Sequence, residues 1–142
     1  MSSGLRELRI WQDAVTLGGD VVRALRPHVR RETRVVSEAI MTTALAVGTH
    51  VADGYARYTP AEQRDSYMLA KRALLRLETE LAVARHAELV PATLLGDFAS
   101  RAAQLTKMLT GFLVYLDRQL AERDAAPRAA TAVSPDSARA PS

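Results

Sequence analysis

Apolar residues recur in alternating steps of three and four along four separate segments of this chain, and breaks containing proline divide those segments. That spacing places them on one stripe of an α-helix and does not fit the two-residue period of a strand. One seam, after Pro60, reads Tyr67, Ala70, Leu74, Leu77, Leu81 and Ala84, predicting a helix to about Ala87. Pro91 opens another, with Leu95, Phe98, Ala102, Leu105, Leu109, Phe112 and Leu116, expected to fray near Arg123. Upstream, Val36, Ile40, Thr43, Val47 and Val51 predict a helix from about Arg34 to Tyr58, bent at Gly48. The first seam takes Leu8, Trp11, Val15, Gly18, Val22 and Leu25. Gly18 and Gly19 should cost that helix up to about 1 kcal/mol each relative to alanine. Two such residues imply close approach of another backbone, or a kink.

Four amphipathic helices with short connections predict an all-α, antiparallel up-down-up-down four-helix bundle over residues 1–123. Residues 124–142 are rich in Ala, Pro and Ser and lack periodicity. Such a segment cannot bury enough to offset its ordering entropy, so a disordered tail is expected.

The helix boundaries carry their own signals. Pro27 removes a backbone donor and disfavours helix at the residue before it, so it should end the first helix. Thr59-Pro60-Ala61-Glu62 has the form of a capping box with proline at the first helical position.

The absence of cysteine excludes disulfides, thiolate nucleophiles and thiolate metal sites. No uninterrupted apolar run approaches the roughly 18–20 residues that span a bilayer, and MSSGLRELRIW has charges where a signal peptide needs apolar residues. A cytoplasmic chain without membrane association is therefore expected. No Gly-rich phosphate loop, nucleophile elbow or paired-acid arrangement is present. Neither His50 nor His86 has a glutamate three residues before it, as carboxylate-bridged metal bundles require, and His28 falls in a loop. The expectation is a non-enzymatic protein with no catalytic residue, metal or cofactor. His50 and Asp53 share a helix face, and Asp53 and Arg57 have the spacing of an ion pair. A general base or metal ligand is one reading of the His–Asp pair; a polar contact inside the bundle is the simpler one.

Charge gives the one indication of a ligand. The formal net charge is +3 and the sequence pI about 9.7, and arginine supplies nearly all of it, since Lys71 and Lys107 are the only lysines. Arginine grips phosphate through a bidentate fork. A GC-rich coding sequence would raise arginine and alanine together without any such role. Five arginines (Arg23, Arg26, Arg30, Arg31 and Arg34) fall within twelve residues, opposed only by Glu32. They read either as a phosphate-contacting corner or as a solvated loop near the negative end of the first helix. No aromatic residue is interleaved for base stacking.

Three stretches in order carry a family resemblance. Leu8, Trp11, Gln12 and Ala14 match an opening Leu-x-x-Trp-Gln-x-Ala segment. Ala46, Val47, Gly48, Thr49, His50, Val51, Ala52, Asp53 and Gly54, followed by Arg57, align with a central Ser-Ile-Pro-Ser-Asn-Ile-Ala-Glu-Gly motif and its following arginine. Leu75, Arg76, Leu77, Glu78, Thr79, Glu80 and Leu81 resemble a third motif, Leu-x-Glu-Leu-Glu-Thr-Gln-Leu, and Lys107, Met108 and Leu109 close the pattern. Over about residues 5–120 the chain resembles the bacterial four-helix-bundle family of 23S rRNA-intervening sequence proteins. Here His50 replaces the family asparagine, Asp53 the glutamate and Gly48 the helix-bending proline. The resemblance implies a ring-forming homo-oligomer, commonly a pentamer. It also implies likeness to the accessory variability determinant of diversity-generating retroelements, a basic pentamer that binds nucleic acid and a reverse transcriptase.

Two functional expectations follow. The first is an oligomer that binds RNA or DNA through the five corner arginines, with Arg57, Lys71, Arg72 and Arg76 second. The other is a scaffold docking a protein partner. In either, apolar side chains left over after packing one bundle should cover the seam between copies. Trp11, Tyr55, Tyr58, Phe112 and Tyr115 are the candidates for that interface.

Overall fold

A computed structural model describes residues 4–133. It contains four α-helices and no strand among the described residues: α1 (Arg9–Leu25), α2 (Arg34–Ala56), α3 (Pro60–His86) and α4 (Ala92–Val133). Short 3-10 turns at Gly4–Glu7 and Arg26–His28 flank α1. Each helix packs against the next, and α1 also packs against α4, closing an antiparallel bundle with the expected up-down order.

Three of the four seams lie where the periodicity puts them. Leu74 and Leu77 on α3, Leu109 and Leu116 on α4, and Ile40, Val47 and Val51 on α2 are all but inaccessible. The first helix corrects its expectation. Its core face is Ile10, Ala14, Leu17, Val21 and Leu25, about a residue out of phase with the expected stripe. Of that stripe only Gly18 and Leu25 are buried; Leu8, Trp11 and Val22 are half-buried and Val15 is exposed. The helix carries two adjoining apolar stripes, and the bundle buries the one through Ile10, Leu17, Val21 and Leu25. Beside it, a Cβ at Gly18 would stand 3.2 Å from the Ala44 carbonyl oxygen, so the backbones of α1 and α2 approach closely there.

The remaining boundaries have local causes. Thr33 is buried; its Oγ1 accepts from the Arg30 N–H at 3.0 Å and donates to the His28 carbonyl at 2.7 Å, fixing the α1–α2 corner. At the start of α3, Thr59 Oγ1 accepts from the Glu62 N–H at 3.2 Å, with Pro60 in the first turn. The reciprocal half of the expected capping box is replaced: Gln63 Nε2 donates instead to the Arg57 carbonyl at 3.1 Å. The α2 helix continues through Gly48 to Ala56. Between Arg34 and Asp53 it has only Glu38 as a charged residue, and by length and composition it could cross a membrane, against expectation. About 33 % of its apolar window is buried, in the packing against α1 and α3, while Val35 and Leu45 stay exposed.

The fourth helix runs past the expected end at Arg123 to Val133. Alanine, the strongest helix former, dominates this stretch and carries the helix on despite Pro127. Of the expected tail, positions 134–142 lie outside the described residues.

Candidate nucleic-acid interface and assembly surface

The antiparallel order separates the expected site residues to opposite ends of the bundle. The α1–α2 corner, with Arg23, Arg26, Arg30, Arg31 and Arg34, shares one end with the α3–α4 turn. His28, Arg30 and Glu32 line a shallow cleft there with Glu88, Leu89 and Pro91. Two corner arginines are already engaged: Arg23 lies 3.7 Å from Asp20, and Arg34 lies 3.7 Å from Glu38. Arg26, Arg30 and Arg31 are exposed and make no ion pair among the described residues. Three guanidinium groups are therefore held on a corner that the Thr33 hydroxyl pins, close to the carbonyl ends of α1 and α3.

The second set does not form one patch. Arg57 is at the far end, where its Nη2 donates to Asp53 Oδ2 at 3.0 Å. Ser66 Oγ, on α3, donates to the same carboxylate oxygen at 2.9 Å. The Arg57 and Ser66 hydrogen bonds hold the Asp53 carboxyl below the usual aspartate range, and Asp53 in turn raises Arg57. Asp53 thus clasps α2 to α3, while His50 makes no hydrogen bond to it. Lys71 is half-buried on α3. Arg72 and Arg76 face a cleft between α2 and α3, where Thr42 and His50 stand opposite. Arg72 has no ion pair among the described residues, and Arg76 Nε donates to Glu80 Oε2 at 3.2 Å.

The five interface candidates gather at the end opposite the corner. Trp11 lines a mainly apolar groove of about 360 Å³ between α1 and α2, floored by Gly18, Ala44 and Gly48 and edged by Val15 and Leu45. Val15 and Leu45 are 47 % and 59 % exposed, and periodicity did not single out Leu45 at all. Tyr58 is 96 % exposed beyond the end of α2, whereas the Tyr55 ring packs over Gly4. Phe112 is half-buried, edge-on to the buried Tyr67 ring at 4.9 Å and 5.9 Å from Tyr115. The Tyr115 hydroxyl accepts from Gln119 Nε2 at 2.8 Å and its ring is half exposed. Burial lifts the Tyr67 hydroxyl to about 12.

Among the described residues no cluster of three or more His, Asp or Glu side chains could hold a metal ion. What the surface offers is charge on one corner and an uncovered apolar groove toward the other end, on an otherwise well-packed helical bundle. The fold and this surface define a small four-helix-bundle protein. The model of the family described as 23S rRNA-intervening sequence protein matches residues 6–111, and the chain belongs to that family. No curated protein matches the chain.

Proposed function

We propose that this protein is a non-enzymatic, ring-forming homo-oligomer, with five copies as the family likeness implies, that binds RNA or other nucleic acid through its α1–α2 corner. The observation that carries the reading is the trio Arg26, Arg30 and Arg31, exposed and without ion pairs among the described residues, on a corner braced by Thr33. Three neighbouring arginines without an ion pair among the described residues concentrate positive charge on one corner, with Glu32 and Glu88 the acids beside them. Repeating the corner around a ring would multiply a modest patch into useful avidity. The apolar α1–α2 groove with Trp11, Val15 and Leu45 supports assembly, since apolar surface of this kind gains by being covered. The test is a binding titration with a fluorescent single-stranded RNA for the wild type and for the triple variant Arg26→Ala, Arg30→Ala, Arg31→Ala. The reading requires wild-type binding that weakens steeply with salt, and loss of at least tenfold in the triple variant. Equal binding by both proteins would overturn the assignment of the corner.

The same groove favours a second reading, a scaffold that docks a partner protein. In that case Leu45→Glu would abolish partner capture while leaving the subunit number unchanged.

A further inference from the structure

The cleft between α2 and α3 has features that neither the corner nor the assembly groove uses. It runs along the two helices with a volume of about 540 Å³ and is open to solvent along its length. Arg72 and Arg76 stand on its α3 wall, one helical turn apart, which is about 6 Å along the axis. His50 and Thr42 stand on the α2 wall, and neither side chain makes a hydrogen bond among the described residues. Ala46 and Ala73 line the cleft between them, so a ligand can come close to both backbones.

The charge in this cleft is directed. Glu80 Oε2 takes only the Nε of Arg76, which orients that guanidinium and leaves its terminal nitrogens available. The Glu80 side chain is 17 % exposed and its other oxygen is buried without a partner, so this carboxylate sits behind the arginine and does not face a ligand. Glu38, the acid on the α2 wall, is drawn toward Arg34 at 3.7 Å. Arg72 has no carboxylate partner among the described residues. Two donors spaced by a turn suit two successive anionic groups on one chain, and arginine forks suit phosphate oxygens.

The lining also says what is not read. Trp, Tyr and Phe are absent from this cleft, so it lacks the large aromatic platforms on which successive bases stack. Contacts confined to phosphate position a strand and carry no sequence information. A cleft between two adjacent helices admits one strand along its length.

The geometry points to the α2–α3 cleft as a track for the sugar–phosphate backbone of a single strand, held by Arg72 and Arg76 with His50 and Thr42 opposite, without base recognition. This rests on the nucleic-acid reading above and adds a second contact, separate from the corner.

The test measures binding of fluorescein-labelled 20-nucleotide oligouridylate and a mixed-sequence RNA of equal length across a salt series. The full chain is compared with Arg72→Gln/Arg76→Gln and with Thr42→Glu, all at exposed positions. Helical content and unfolding midpoint are matched to the wild type first, because Glu80 loses its Arg76 partner. Single-strand binding loses about 0.7 from the slope of log K against log salt for each phosphate contact removed. The expected result is a slope shallower by about 1.4 in the double arginine variant, weaker binding in Thr42→Glu, and equal effects on both RNAs. Unchanged slope and affinity in both variants overturn the proposal, leaving the cleft to another occupant such as an acidic protein segment. A preference for one RNA that the double variant abolishes overturns it too. If the cleft variants bind normally while the corner variant fails, only the cleft assignment falls; if the wild type binds neither RNA, both readings fall.

Discussion

Gly54 is the position where packing makes its sharpest demand, and replacing it with alanine tests the packing account. A Cβ at Gly54 would lie 2.9, 3.0 and 3.1 Å from the Cε1, Cζ and Cδ1 atoms of Tyr67. The ring cannot easily retreat, because Tyr67 is only 2 % exposed and the Phe112 ring meets it edge-on at 4.9 Å. Forcing a methyl into a packed interior costs about 1–3 kcal/mol, and a ring pinned on its far side calls for the upper part of that range. Exchanging glycine for alanine inside a helix returns about 1 kcal/mol. The net expectation for Gly54→Ala is a loss of about 2 kcal/mol. Gly111 provides the control: it is exposed on α4, and a Cβ there meets nothing within 4 Å. Gly111→Ala should therefore gain up to about 1 kcal/mol. Denaturant unfolding at one fixed protein concentration, which an oligomer demands, reads the difference as opposite shifts in midpoint at unchanged slope. Combining Gly54→Ala with Tyr67→Leu should relieve the clash, giving a coupling of at least about 1 kcal/mol in a double-mutant cycle. Gly54→Ala as stable as Gly111→Ala would refute the reasoning.

Three further outcomes follow from the same coordinates. Glu88 adopts φ 55° just after α3, with Leu89 N–H donating to the Ala84 carbonyl and Glu88 N–H to that of Arg85, each at 3.2 Å. That left-handed helix ending suits glycine, so Glu88→Gly should raise stability by about 1 kcal/mol in thermal unfolding. Tyr67 keeps its proton to about 12 in the fold, whereas an unfolded tyrosine loses it near pH ~10. The stability it contributes is thus full below pH ~10 and lost as pH rises toward 12. Ultraviolet titration should show one of the four tyrosines ionising late, and Tyr67→Phe should abolish that step. Asp53 is shifted the other way by Arg57 and Ser66, so its contribution is present above pH ~3.9 and fades as pH falls through the lower folded value. Asp53→Asn should remove that part of the acid sensitivity, seen as a flatter dependence of the unfolding midpoint on pH.

Local rules were enough to place the core seams of α2, α3 and α4 from the sequence, because each buried seam follows a single three–four spacing. The phase of α1 was not legible in the same way. Its stripes through Ile10 and Trp11 adjoin, and packing against the other helices decides which faces the core. Spacing along one helix revealed the Asp53–Arg57 pair, but not Ser66, which reaches Asp53 from the neighbouring helix. For the same reason the α2–α3 cleft and the α1–α2 groove could not be read from periodicity, since each is assembled from two helices in register. The arginine corner was visible as a cluster; which arginines remain free depends on where Asp20 and Glu38 point. The helical stretch after Arg123 was hidden by its composition, which low complexity and strong helix propensity share.

Sedimentation of the full chain at micromolar concentration, alone and with single-stranded RNA, tests the central claim most directly. The account predicts a discrete multiple of the 15.5 kDa subunit, five being the expected number, that sediments faster once RNA is added at low salt and reverts when salt is raised. A 15.5 kDa monomer whose sedimentation RNA does not change would contradict it.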